Sequence, residues 1–258
     1  MSLYIVSDLH ISGPEDPIYY SLLSLLKLQV VPGDTVVLAG DIFDLFIGNK
    51  KIYRNRYQAF LECVDRAVRR GIVIHYIEGN HDFLMERVFS KIQGMRTHSA
   101  QVSLEIEGKR FFVAHGDQVD SSDYGYRVLR ALLRTPLMRV LLWMIPGVWL
   151  DRLGQWSSQN SRRRHLTVTS QSTIEKREFL RKAYRSYAAE RLAQGYDFVV
   201  MGHCHDLDEM FFQIDGRPGQ YVNVGFPRVH GSLLAWVVGE DKIHRQKLPE
   251  SEGMTALS

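Results

Sequence analysis

The sequence predicts an α/β protein built from two packed, mixed β-sheets with one helical insertion. Three observations support this. Strand-like runs alternate with helical spacing early in the chain, later strands pair as hairpins, and residues 123–181 break the alternation with a helical stretch rich in Leu, Arg and Trp. At 258 residues the chain fits one large domain carrying an insertion.

Residues 3–6 are an apolar run and read as a buried strand. Residues 17–28 begin at proline and carry helical spacing, and Pro32-Gly33-Asp34 turns into a strand at 35–38. Residues 53–70 place Tyr57, Phe60, Leu61, Val64, Ala67 and Val68 at helical intervals and stop at Gly71. A β-branched strand follows at 72–77. Residues 102–106 and 110–114 flank Glu107-Gly108-Lys109 as a hairpin. A long helix at 176–194 ends at Gly195, a strand follows at 198–201, and closing strands lie at 221–224 and 232–238. The expected division is a core of residues 1–122 and 182–248, a helical cap at 123–181 and a loose tail at 249–258.

Composition narrows the class. Apolar residues make up 45% and charged residues 24%, which suits a globular chain able to bury a core. The net charge of +3 is small, and no basic stripe interleaved with aromatics marks a nucleic-acid groove. Two cysteines, Cys63 and Cys204, are too few for a disulfide framework and point to a reducing, cytoplasmic setting. The first residues run straight into a strand without a basic leader, so no signal peptide is expected. The apolar stretch 140–150 is broken by Pro146 and Gly147 and is too short for a membrane span.

Chemistry-bearing residues recur at strand ends. They are Asp8-Leu9-His10, Gly40-Asp41-Ile42-Phe43-Asp44, Gly79-Asn80-His81-Asp82, His115-Gly116-Asp117 and Gly202-His203-Cys204-His205. Their oxygen and nitrogen donors suit a pair of hard-to-borderline divalent ions, a device used to cut phosphate esters with activated water. Asp8 and His10 at i, i+2 would share a side if the chain stays extended. Asp41 has two oxygens with which to bridge two cations. Asp44 either orients a histidine ligand or forms an Asx turn. Asn80 offers a carbonyl oxygen, His81 faces the substrate as acid or donor, and Asp82 is expected to hold the His81 imidazole in one tautomer. His203 and His205 repeat the i, i+2 spacing, with Cys204 pointing away.

This order of motifs resembles the calcineurin-like metallophosphoesterase superfamily. The resemblance implies a four-layer α-β-β-α sandwich with a helical cap. It implies one cation held by Asp8, His10, Asp41 and His205 and a second held by Asp41, Asn80, His115 and His203. Manganese is the expected metal, with iron and zinc as alternatives. Gly79-Asn80-x-Asp82-Phe83-Leu84, His115-Gly116-Asp117 followed by Asp123 and Tyr126, and the helical insert with Pro136, Pro146 and Ser161 resemble one branch, the UDP-2,3-diacylglucosamine pyrophosphohydrolases of lipid A synthesis. That branch implies release of UMP and a lipid-linked sugar 1-phosphate, with Asp123 and Ser161 touching the glucosamine. The chain departs from the branch at His81, in the basic run after Ser161, and at the segment from Tyr221 to Pro227.

The insert has its own chemistry. Arginines spaced along an apolar helical face from Tyr126 to Pro146 suit an anionic lipid at the inner face of a membrane, though Leu132, Leu133, Leu141, Leu142 and Trp143 equally suit packing onto the core. The run from Ser157 to His165, including Ser161 and Arg162, offers hydroxyls, an amide and three arginines for a phosphate or sugar. Two other functions fit the same residues: a phosphomonoesterase or phosphodiesterase of a soluble substrate, and a non-catalytic scaffold.

Overall fold

The computed structural model describes residues 1–120, 124–133, 135–152 and 171–249. In chain order the first half contains β1 (Ser2–Val6), α1 (Pro17–Ser24), β2 (Thr35–Ala39), β3 (Phe46–Ile47), α2 (Lys51–Arg56), α3 (Gln58–Arg69), β4 (Val73–Ile77), β5 (Asp82–Phe83), α4 (Glu86–Phe89), β6 (Arg96–His98), β7 (Gln101–Ile106) and β8 (Lys109–Ala114). The second half contains α5 (Tyr124–Leu133), α6 (Pro136–Met144), α7 (Gln171–Ala193), β9 (Phe198–Met201), β10 (Glu209–Ile214), β11 (Arg217–Asn223), α8 (Pro227–His230), β12 (Ser232–Val237) and β13 (His244–Lys247).

Two mixed sheets carry the architecture. One has the order β13-β12-β1-β2-β4-β6 and the other β10-β11-β9-β8-β7. In the first, β1, β2, β4 and β6 run parallel and β12 returns antiparallel. In the second, β8, β9 and β11 run parallel and β7 and β10 close the edges as hairpins. Leu3, Ile5, Val37 and Ile77 of one sheet meet Val113, Phe198, Val200 and Val222 of the other, with Trp236 among them. The outer face of the first sheet buries Leu22, Leu26, Phe60 and Val64 of its helices. The outer face of the second packs on Tyr184, Ala188 and Leu192 of α7. This is the expected four-layer sandwich. Strands buried on both faces explain the unbroken apolar runs of β1, β2 and β9.

Local differences have local causes. The helix expected at 17–28 ends as α1 at Ser24 and continues as a wider π turn over Leu25–Gln29. The helix expected at 53–70 is two, broken at Tyr57, whose ring is buried against Phe43 and whose hydroxyl donates to the Ile11 carbonyl. Packing of that aromatic overrides the helical periodicity around it. Strand β10 escaped the sequence reading because its residues alternate poorly, yet Asp215 and Gly216 both adopt positive φ and close a tight hairpin to β11.

Helices α5 and α6 leave the core through side-chain tethers. Arg130 of α5 donates to Asp117, Lys50 donates to the Ile145 carbonyl, and Arg56 forks onto Asp151. Leu142 is buried in the outer core, whereas Val128, Leu137, Val140 and Trp149 are more than half exposed. The packing reading therefore fits Leu142 and not Leu132 or Leu141, which are exposed; the Trp143 side chain lies outside the described residues. No helix of the described residues is long and apolar enough to cross a membrane.

The edge of the first sheet holds a buried histidine pair. His75 is only 2% exposed, stacks on His98 and lies with Nδ1 3.0 Å from His98 Nε2. Burial, followed by the His98 and Arg96 charges, pushes His75 down to about 4. The unfolded chain takes up a proton near the ordinary value of 6.5, earlier than the fold does. Stability is therefore complete above that value and is lost as pH falls towards 4, by on the order of 2 kcal/mol for this group. A His75→Phe variant should show a smaller fall in melting temperature between pH 7 and pH 4.5 than the wild type. Equal falls would remove His75 from the acid response.

Candidate metal centre

The five motifs converge because their strands do. Asp8 and His10 follow β1, Asp41 follows β2, Asn80 and His81 follow β4, His115 follows β8, and His203 and His205 follow β9. All lie at the carboxyl ends of parallel strands, where open α/β sheets gather ligands. The expected extended conformation at residues 8–10 is not found. Asp8, His10, Asp41, His203 and His205 all adopt left-handed backbone, with φ between 47° and 69°. Five non-glycine residues in that region are costly and persist only where surroundings over-determine them. Here the Asp8, His10 and Ile11 amides donate to the Gly40, Asp41 and Ile42 carbonyls, which locks one loop onto the next.

Two glycines make room for the carboxylates. A Cβ at Gly79 would collide with Asp41 Oδ1, and one at Gly202 would collide with Asp8 Oδ2 and Ser7 Oγ. The Asp41 oxygens are not equivalent. Oδ1 accepts from the backbone amides of Asn80 and His81, both at 2.9 Å. Oδ2 faces His115 Nε2 at 3.5 Å, His10 Nε2 at 3.8 Å and His81 Nε2 at 4.0 Å. It is Oδ2, and not Oδ1, that is turned towards the three ring nitrogens.

Three overlapping donor groups lie around that oxygen among the described residues. Single donor atoms of Asp8, His10 and His205 lie within 4.8 Å of one another, as do those of His10, Asp41 and His81 and those of Asp41, His115 and His203. His205 Nε2 is 3.3 Å from Asp8 Oδ1 and 3.1 Å from His10 Nε2, and Asn80 Oδ1 is 3.0 Å from His115 Nε2. Asp8 and Asp41 are 0% and 2% exposed. Burial raises both carboxylates, yet neighbouring imidazoles hold them below the usual range, Asp41 well below. Burial likewise pushes His115 down, but Asp41 overrides it and lifts His115 to about 10. Burial and the His115 charge hold His203 down at about 4. A pocket whose carboxylates draw a proton onto one buried imidazole has a charge balance that divalent cations satisfy. The donor set fits such ions.

Asp82 does not hold His81. Its buried carboxylate accepts from the amides of Asp41, Ile42 and Gly79 and from the Tyr76 hydroxyl, at 2.6–3.0 Å. It shapes the turns that carry Asp41 and Asn80. His81 Nδ1 instead meets the Asp44 carbonyl at 2.8 Å, and its side chain is 30% exposed at the mouth of the site. The Asp44 carboxylate lies 3.6 Å from His10 Nδ1, an electrostatic contact beyond hydrogen-bond distance. Cys204 points away from the site, with Sγ 3.1 Å from Asn223 Nδ2.

Of the residues expected at the substrate, Asp123, Ser161 and Arg162 lie outside the described residues, as does the side chain of Tyr126, whose backbone is in α5. Several residues near the ligand loops had no motif to announce them. Ser7 Oγ donates to Asp8, Tyr184 donates to the Gly116 carbonyl, and the Phe226 ring stacks on His205. Arg177, Arg181 and Arg185, one helical turn apart on α7, fork onto Asp206 and Asp208 just beyond His205. Their spacing of four was the one signal available in the sequence.

Comparison with known proteins identifies the family. A family model described as calcineurin-like phosphoesterase matches residues 1–207. A curated relative from Aeromonas salmonicida, named UDP-2,3-diacylglucosamine hydrolase, is 25% identical over 96% of this chain and 95% of its own. Relatives of the same name from Nitrosococcus oceani and Photorhabdus laumondii are 26% identical over 87% of each chain and 28% identical over 80% of this chain and 82% of theirs. With a family model spanning most of its length and the expected donors gathered at one end of the sandwich, the chain belongs to the calcineurin-like phosphoesterases, a family of metal-dependent hydrolases.

Proposed function

We propose that the protein is a two-cation pyrophosphohydrolase that cleaves UDP-2,3-diacylglucosamine to UMP and 2,3-diacylglucosamine 1-phosphate, with manganese as its metal. The observation that carries the reading is Asp41 Oδ2, a single carboxylate oxygen facing imidazoles of both proposed cation positions. Asp8, His10, Asp41 and His205 would hold one ion, and Asp41, Asn80, His115 and His203 the other. When bound, the ions polarise the phosphoryl oxygens and make water nucleophilic at neutral pH.

The chain's own groups do the rest. The Asp44 carbonyl accepts from His81 Nδ1–H, which leaves Nε2 as the atom turned into the site. Burial lowers the His81 pKa, but Asp41 and the Asp44 carbonyl outweigh it and raise the value. A protonated Nε2 can stabilise charge on the phosphoryl group or give its proton to the departing oxygen. Asn80, whose backbone N–H donates a hydrogen bond to Asp41 Oδ1, turns its side chain to the same space. His81→Ala should retain both ions and slow turnover by about 10²–10⁴-fold. Unchanged turnover would confine His81 to a structural role.

The name of the relatives and the exposed apolar residues of α5 and α6 support an acylated substrate and a membrane-surface encounter at the inner face. Product analysis tests this. With manganese and UDP-2,3-diacylglucosamine, UMP and the lipid sugar 1-phosphate are expected. Turnover of bis-p-nitrophenyl phosphate without turnover of the lipid nucleotide would assign a soluble substrate. No turnover of either, with both ions bound, would leave a scaffold.

A further inference from the structure

We propose that Arg228 and Phe226 are positioning residues for one cation only, the one facing Asp8, His10 and His205, and that they set its affinity independently of the neighbouring cation. The inference rests on the two-cation reading above and goes beyond it by assigning a role to the segment after β11.

That segment is built towards the site from behind. Asn223 Nδ2 donates to the Gly202 carbonyl while its Oδ1 accepts from the Gly225 amide, so the turn after β11 is tied to the loop carrying His203 and His205. Gly225 takes φ +80°, which swings the next residue across the site. The Phe226 ring then lies parallel to the His205 imidazole, with centroids 4.5 Å apart and planes within 8°. It also meets the His10 ring edge-on at 6.0 Å. One aromatic thus restrains the rotation of two imidazoles of the same donor group.

Arg228 restrains the backbone of that group. Its Nε donates to the Leu9 carbonyl at 2.8 Å, and a terminal nitrogen donates to the His10 carbonyl at 2.7 Å and to Asp16. Asp16 also accepts from the Ser12 amide and hydroxyl and caps α1 through the Ile18 amide. The guanidinium therefore clamps the loop between two carbonyls and a buried carboxylate. The clamped carbonyls belong to Leu9 and to His10, whose own backbone is left-handed at φ 47°. A planar fork with several donors is needed to satisfy three acceptors at once, a task a single ammonium cannot copy. Restraint of a ligand's ring and backbone by groups outside the donor set changes metal affinity by about 10–100-fold in comparable sites.

Manganese titration by calorimetry on the full-length protein tests this, with circular dichroism and melting temperature confirming the fold. In a His203→Ala background the remaining event reports the Asp8, His10 and His205 position. Adding Arg228→Met there should weaken manganese by about 10–100-fold. Arg228→Lys should recover part of the loss. Phe226→Leu should weaken the same event, and it decides the matter if Arg228→Met does not fold. In a His205→Ala background, which reports the Asn80, His115 and His203 position, either variant should shift affinity less than about 2-fold, below any outer-partner effect. Equal weakening in both backgrounds, or none in either, overturns the inference. A wild type that takes up no manganese overturns the two-cation reading itself, and this inference with it.

Discussion

Replacing Asp41 with alanine is expected to abolish both cation positions together and to lower hydrolysis by more than about 10³-fold, beyond the 10–100-fold typical of groups that only orient ligands. The reason is geometric. Among the described residues, Asp41 Oδ2 is the one carboxylate oxygen within 4.0 Å of His10, His81 and His115 ring nitrogens, so its loss removes an oxygen from beside imidazoles of both proposed cation positions. Oδ1 is simultaneously the acceptor for the Asn80 and His81 amides, so alanine also frees the turn that carries those two side chains. Asp41→Asn separates the effects. It can keep an oxygen for the amides while removing the charge, and should retain the fold but bind manganese weakly. Metal content after gel filtration and turnover with a chromogenic diester check both variants. Two ions per chain in Asp41→Ala would contradict a shared oxygen.

Asp82→Ala is expected to be the most destabilising single change in the core of the site. Its buried carboxylate, 0% exposed, satisfies three backbone amides and the Tyr76 hydroxyl. Removing it strands four donors where water has little access. Each buried unsatisfied group costs about 1–3 kcal/mol, and loss of one partner from a buried polar network costs about 3–5 kcal/mol in total. For a chain of this size that corresponds to a fall in melting temperature of roughly 10 °C. Differential scanning calorimetry of the protein stripped of metal isolates the effect from cation binding. A fall under about 3 °C, or less than one such unsatisfied group, would mean that the turns at Asp41 and Gly79 do not depend on Asp82.

The architecture was legible wherever burial on both faces leaves an unbroken apolar run, as in β1, β2, β4 and β9. It was not legible at β10, whose exposed Met210 and Phe211 blur the alternation, or at Tyr57, where an aromatic buried by distant groups breaks a helix its neighbours favour. The donor residues stood out because glycine precedes three of the motifs and ligand chemistry uses few side-chain types. Their geometry did not. Nothing in the order Asp8-Leu9-His10 announces left-handed backbone, which arises from pairing with the loop after β2. Proximity in sequence also misled: Asp82 adjoins His81, but the turn directs its carboxylate inward to Asp41, Ile42 and Tyr76. Arg228 is more than two hundred residues from Leu9 and His10, and no local pattern connects them.

Anomalous diffraction at the manganese edge, on crystals of the full-length protein grown with manganese, tests the central claim most directly. The account expects two peaks, both in contact with Asp41 Oδ2, one beside Asp8, His10 and His205 and the other beside Asn80, His115 and His203. A single peak, or two peaks of which one lacks Asp41, would contradict it.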